Sequence, residues 1–173
     1  MKLASLKPRE KVPPLKLPTL RHGTLNLGSR PERLMEVVVF YRGLHCQLCK
    51  RQLPEFDRNV ENFAARGVDV LAISMDTRER ALKAQDAWNL QHLVIAYDLP
   101  VAEARAWGLF ISNALTENEP AQFSEPGLFL VEPGGLLYGS IVSSLPFARP
   151  ACSDILSAID FIAKVNYPAR GEG

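Results

Sequence analysis

Short apolar runs alternate along this chain with segments whose apolar residues recur at helical spacing, and that alternation restricts the fold most. Leu34–Tyr41 (LMEVVVFY) is brief, β-branched and aromatic, and reads as a buried strand ending at Gly43. The segment that begins near Cys46 places Leu53, Phe56, Val60, Phe63 and Ala64 on one helical face, with Arg51, Glu55, Arg58 and Glu61 outward. Pro54 should kink this helix and Gly67 should close it. Val68–Ser74 is the next strand. Asp76, with Glu79 three residues on, reads as the N-cap of a helix carrying Ala81, Leu82, Ala84 and Trp88. His92–Tyr97 is a short strand, and Asp98 and Pro100 start a brief helix that Gly108 stops. Residues 112–126 are polar and read as a loop. Gly127–Val131 and Leu136–Val142 are strands joined by the turn Glu132-Pro133-Gly134-Gly135, and a last helix covers about 151–165. The order β-α-β-α-β-α-β-β-α requires parallel strands with helices on both faces and a terminal antiparallel hairpin, an α/β domain with a mixed sheet. Residues 1–173 show no repeat and no linker and read as one domain. Residues 1–20, with Pro8, Pro13, Pro14 and Pro18, read as an extended segment lying on it.

Charge narrows the function. With 20 Lys+Arg against 19 Asp+Glu the chain carries no basic excess or stripe, which argues against nucleic acid and against an anionic membrane surface. The longest apolar runs fall far short of the roughly 20 residues that span a bilayer. The charged, proline-rich start MKLASLKPREKVPPLKLPTL has no apolar run of signal-peptide length, and three cysteines are too few for a disulfide framework. A cytoplasmic protein is the expectation.

Two of those cysteines stand where the first strand turns into a helix, as Cys46-Gln47-Leu48-Cys49. The reactive form of a thiol is the thiolate, and an unperturbed cysteine near pKa 8.5 is only a few per cent ionised at pH 7. A helix N-terminus supplies unsatisfied N–H groups and partial positive charge that favour the anion. Arg42 and His45 stand close enough in sequence to add to that field. Two intervening residues on a helical turn allow the sulfurs to bridge reversibly. The same pair is also half of many zinc sites, with Cys152, His22, His45 and His92 as the remaining ligand types, or it is two inert buried thiols. None of those residues repeats the paired spacing of a zinc ribbon or finger, whereas C-x-x-C beside a βαβ pattern points to redox exchange.

Lys11–Leu20, Val39-Phe40-Tyr41-Arg42-Gly43 through Cys49, Ile73-Ser74-Met75-Asp76 and Gly127-Leu128-Phe129-Leu130-Val131-Glu132 fall in an order and spacing that resembles the alkyl hydroperoxide reductase/thiol-specific antioxidant (AhpC/TSA) family, the peroxiredoxin-like branch of the thioredoxin fold. Ser144–Pro150 (SLPFARP) and Tyr167–Glu172 resemble a subfamily with this same C-x-x-C. The resemblance implies a thioredoxin-like three-layer sandwich, with peroxide or disulfide as substrate. It further implies a thioredoxin-like or low-molecular-weight thiol as reductant and no cofactor, and it allows a homodimer. Typical members use P-x-x-x-[TS]-x-x-C. Counted back from Cys49, those positions hold Arg42 and Cys46; counted back from Cys46, they hold Val39 and Gly43. Neither register supplies the hydroxyl, and the family's arginine before the late strand falls on Pro126. That position resembles the proline, usually cis, that faces the cysteines in thioredoxin-type sites.

These features lead to a definite expectation. Cys46 attacks the substrate, Cys49 resolves the product as an intramolecular disulfide, and a cis Pro126 shapes the substrate face. Arg42, His45 and Arg149 assist electrostatically. In the reversed assignment Cys49 attacks and Cys46 resolves. A redox-sensing or interaction module of the same fold, without efficient turnover, is the alternative from another class. Arg149 reads equally as a surface cation or the partner of a carboxylate, Cys152 as a small buried residue or a reactive thiol at a helix start, and Trp88 and Trp107 as core. His22 and His92 read as structural or solvated, and residues 112–126 as a solvated loop or a lid.

Overall fold

The computed structural model describes residues 6–173, so residues 1–5 of the expected N-terminal segment lie outside it. Strand β1 (Met35–Phe40) is buried at every position, which explains a continuous apolar run in place of an alternating one. It pairs in parallel with β2 (Val68–Ile73), and β2 in turn with β3 (Val94–Ala96). On its other side β1 pairs antiparallel with β6 (Gly127–Glu132), which forms a hairpin with β7 (Leu136–Val142). The five-stranded order is therefore β3-β2-β1-β6-β7, the mixed α/β sheet that the alternation requires.

Strand alternation divides the core in two. Val37, Val39 and Tyr41 face the layer built by α1 (Gln47–Arg58), α2 (Val60–Ala64), α3 (Arg78–Ala87) and α5 (Cys152–Val165). Val38 and Phe40 face the opposite layer, which contains Leu15, Leu17 and the end of α4 (Val101–Ala106). There Phe40, Trp107 and Phe129 pack ring against ring at 5.0–5.5 Å. Trp88 and Trp107 are both buried, as expected for core residues. The proline-rich segment lies extended along the sheet. Its non-proline amides make the bonds, Arg9 N–H to the Leu137 carbonyl, Val12 to Gly135 and Leu20 to Ile95.

Several boundaries differ from the sequence reading. Pro54, where the sequence leads one to expect a kink, stays inside α1, and the single helix expected up to Gly67 divides at Asn59. There the side-chain amide takes the Glu55 carbonyl at 2.8 Å and the backbone N–H turns to Phe56, replacing the regular helical bond. Thr77, not Asp76, caps α3, its hydroxyl accepting from the Arg80 N–H. The expected loop 112–126 contains a two-stranded hairpin of its own, β4 (Ile111–Asn113) with β5 (Gln122–Ser124). Strands of three residues are too short to show a period. Among the described residues no helix is long and apolar enough to cross a membrane.

Candidate active site

The end of β1 feeds a tight turn before α1. Gly43 adopts φ +129°, and a Cβ there would lie 2.7–2.9 Å from the Asp76 carboxylate. That carboxylate is buried and accepts the Leu44 N–H at 2.8 Å, while Arg80 Nε pairs with its other oxygen at 2.9 Å. Asp76 thus braces the turn that delivers the cysteines, a role for which its place before α3 gave no signal.

Cys46 is the N-cap of α1, and its sulfur accepts the backbone N–H of Cys49 at 3.4 Å. Both thiols are buried, Cys46 at 3% exposure and Cys49 at 0%, so Cys46 is the more exposed only in rank. Arg149 reaches both: Nη2 donates to Cys46 Sγ at 3.6 Å, and Nη1 and Nη2 to Cys49 Sγ at 3.7 Å. Its Nε is fixed by the Pro146 carbonyl and its Nη1 by Gln52 Oε1, each at 2.8 Å. Arg149 is therefore a sulfur ligand and not a free surface cation. Gln52, one turn beyond Cys49, escaped the sequence reading, although a buried polar side chain on an amphipathic helix is a usable signal.

These contacts split the two thiols. The Cys49 thiol and backbone N–H, then Arg149 and Arg42, outweigh burial and bring Cys46 down to about 4. Burial foremost, then the neighbouring Cys46 sulfur, pushes Cys49 well above an ordinary thiol. Burial pushes Cys152 up to about 11, which leaves it an inert thiol at pH 7.

Arg42 packs 4.8 Å over the Phe123 ring and pairs with Glu125 at 3.1 Å. His45 sits edge-on to the same ring at 4.5 Å, with neither nitrogen hydrogen-bonded. Burial, then Arg42, lowers its pKa below the ordinary imidazole value. That shift favours the neutral imidazole and so weakens the cationic help expected of His45. Pro126 lies close to the site, lining a small cavity with Gln52 and Arg149. The expected cis bond is not found: every peptide bond among the described residues is trans. The Pro126 carbonyl instead accepts the Ser143 N–H at 3.1 Å, which ties the approach to β6 to the segment carrying Arg149. Among the described residues no three His, Cys, Asp or Glu side chains gather in a way that could hold a metal, and His22 and His92 do not approach the cysteines as ligands.

No curated protein matches the chain. Among solved structures, a peroxiredoxin-like protein from Aquifex aeolicus is 16% identical, with 92% of this chain and 89% of that chain covered at a TM-score of 0.74. Peroxidoxin BcpB from Mycobacterium tuberculosis is also 16% identical, covering 91% and 98% at 0.73. Reduced Prx3 of Vibrio vulnificus in complex with hydrogen peroxide is 16% identical as well, covering 89% and 99% at 0.73. At such identities the likeness shows the shared thioredoxin-like fold alone. The sequence model of the AhpC/TSA family matches residues 8–139, three quarters of the chain and the whole strand–turn–helix that holds the cysteine pair. The chain belongs to the AhpC/TSA family and is a thiol-dependent oxidoreductase.

Proposed function

We propose that the enzyme reduces peroxides or disulfides through a reversible Cys46–Cys49 disulfide, with Cys46 as the attacking thiol. The observation that carries this reading is the asymmetry of the pair: two hydrogen-bond donors and the start of α1 hold Cys46 as thiolate, while Cys49 stays a protonated thiol. With a peroxide, the Cys46 thiolate attacks the terminal oxygen, the O–O bond breaks, and the departing alkoxide takes a proton to leave as alcohol or water. Cys46 becomes a sulfenic acid. The Cys49 sulfur then displaces hydroxide, which leaves as water with the Cys49 proton, and the disulfide forms. An external dithiol, or two small thiols, returns two electrons and two protons and is itself oxidised. With a disulfide substrate, Cys46 forms the mixed disulfide and Cys49 releases it. Pro126 and the segment through Arg149 shape the face on which substrate arrives.

Peroxide consumption and disulfide reduction are to be measured side by side for wild type and both single variants. Cys46→Ser should abolish turnover, and Cys49→Ser should trap a sulfenic acid or mixed disulfide on Cys46. Oxidised wild type should lose two hydrogens and give a Cys46–Cys49 cross-linked peptide by mass spectrometry. Wild-type speed in Cys46→Ser with a dead Cys49→Ser reverses the roles. Oxidation without turnover by any thiol donor favours a sensor.

A further inference from the structure

A cleft of about 300 Å³ opens beside the cysteine pair, between α1 and the segment that carries Arg149. One wall begins inside the C-x-x-C with Leu48 and continues along α1 with Arg51, Gln52 and Glu55, while Phe147 and Arg149 form the other. Arg149 bonds Gln52 at 2.8 Å and reaches Cys46 Sγ at 3.6 Å, so a single side chain separates the cleft from the sulfurs. Two charges that line it have no partner. At α3 the acid-first pairs Asp76–Arg80 and Glu79–Lys83 close at 2.9 and 2.7 Å. Arg51 and Glu55 have the same four-residue spacing in the base-first order, which suits a helix less well, and they do not close. Among the described residues Arg51 makes no ion pair or side-chain hydrogen bond, and Glu55 gives only its backbone carbonyl, to Asn59. Arg51 is exposed, Glu55 is half-buried, and Phe147, 77% exposed, adds an apolar face.

We propose that this cleft docks the electron donor, and that the donor is a small thiol bearing an α-amino-acid group, its carboxylate on Arg51 and its ammonium on Glu55. The inference rests on the Cys46–Cys49 disulfide being the oxidised form. The volume lies at the lower end of the roughly 300–1,000 Å³ that small-molecule sites occupy. A cysteine inside a protein chain has its amino and carboxyl groups tied up as amides and offers neither charge. Sulfurs at 3% and 0% exposure also favour a slender reactant over a broad one. Oxidation removes the thiolate that Arg149 holds, which leaves its sulfur-directed N–H groups to an incoming thiolate. That thiolate attacks Cys46 Sγ, the Cys46–Cys49 bond breaks, and Cys49 takes up the proton the donor gave up. A second donor thiol attacks the donor sulfur of the mixed disulfide, Cys46 leaves as thiolate, and the remaining proton passes to water.

The test is peroxide turnover supported by four thiols: glutathione, 3-mercaptopropionate with a carboxylate only, cysteamine with an ammonium only, and dithiothreitol with neither. For each thiol kcat/KM is read as a ratio of variant to wild type, so that intrinsic thiol reactivity cancels. Arg51→Gln should lower the ratio roughly two- to fivefold for glutathione and 3-mercaptopropionate, the size of a charge pair at a rim open to water. Glu55→Gln should do the same for glutathione and cysteamine. The double variant should lose about the product for glutathione, roughly four- to twentyfold. S-methylglutathione, which cannot donate electrons, should bind the oxidised wild type in calorimetry and bind the double variant more weakly. Both substitutions are conservative changes on the outer side of α1, and circular dichroism checks that the variants fold. Equal changes for all four thiols, or none, overturn the site, and so does turnover with a thioredoxin but not with glutathione. Absence of turnover with dithiothreitol overturns the disulfide reading itself, whereas turnover with dithiothreitol and no charge selectivity overturns the cleft alone.

Discussion

Arg149 divides its guanidinium between fixing itself and holding sulfur. Two bonds at 2.8 Å, to the Pro146 carbonyl and Gln52, set its plane, and the remaining donors reach Cys46 and Cys49. A hydrogen bond to a charged group contributes about 1.5–3 kcal/mol, so Arg149→Met should lower kcat/KM for peroxide by roughly ten- to a hundredfold. The sign in pH follows from the cause. Cys46 loses a cation, its pKa rises from about 4, and the deficit is deepest in acid and narrows toward pH 9. Stopped-flow rates across that range check it, and a pH-independent deficit would show that Arg149 acts only on the leaving oxygen. Lysine should rescue poorly, since one ammonium cannot bind Gln52 and two sulfurs at once. Gln52→Leu should move the rate the same way by less. In the sequence Arg149 stood out only by its motif. Its partners lie 97 and 103 residues away, beyond the reach of any local pattern.

The turn between β1 and α1 owes its shape to an element it does not belong to. Asp76, between β2 and α3, accepts the Leu44 N–H and fills the space that any side chain at position 43 would need. Gly43→Ala combines a left-handed backbone with that clash and should cost about 1–3 kcal/mol. Asp76→Ala leaves a donor and Arg80 unpaired and should cost a similar amount, about 1–3 kcal/mol, with Asp76→Asn milder because an acceptor remains. Urea unfolding of the reduced protein measures all three, and a neutral Gly43→Ala would show that the turn rearranges freely. Period and burial made the long elements readable: β1, β2, β7 and α5 stand within a residue or so of where the sequence puts them. The hairpin β4–β5 was hidden by its brevity, and with it Phe123 and Glu125, which lie against Arg42. Asp76 carried a strong local signal for a helix cap, but a tertiary bond claimed it and Thr77 took the cap. The cysteine pair was legible because its chemistry is local, a strand end and a helix start. The residues that brace and tune it were not, because they converge from the connection between β2 and α3 and from the segment before α5.

Across the whole molecule, the same tuning decides which redox form is the more stable. A Cys46–Cys49 bridge closes a loop of only four residues, and the chain-entropy relation gives such a loop about 2 kcal/mol. Against this, the reduced form holds a thiolate at about 4 that would titrate near 8.5 in the unfolded chain. A depressed folded pKa gives stability that is complete above the unfolded value and is lost as pH falls through the folded one. At pH 7 about three units of that depression count, worth about 4 kcal/mol at 1.36 kcal/mol per unit. Cys49, raised, is a protonated thiol in both folded and unfolded chains at this pH and adds nothing to the difference. The thiolate therefore outweighs the cross-link, and the reduced protein should melt above the oxidised one at pH 7. The gap should widen toward pH 8.5 and close near pH 5.5, where the remaining thiolate gain falls to about 2 kcal/mol. Below that the disulfide form should be the more stable. Melting curves of both forms from pH 4.5 to 8.5 test the crossing, and an oxidised form that melts higher at every pH would remove the thiolate's claim to be strongly stabilised. A reduced state favoured in this way should make the disulfide an easy electron acceptor. Such a disulfide takes electrons readily from a dithiol or a small thiol, which returns Cys46 to the thiolate that meets the next substrate.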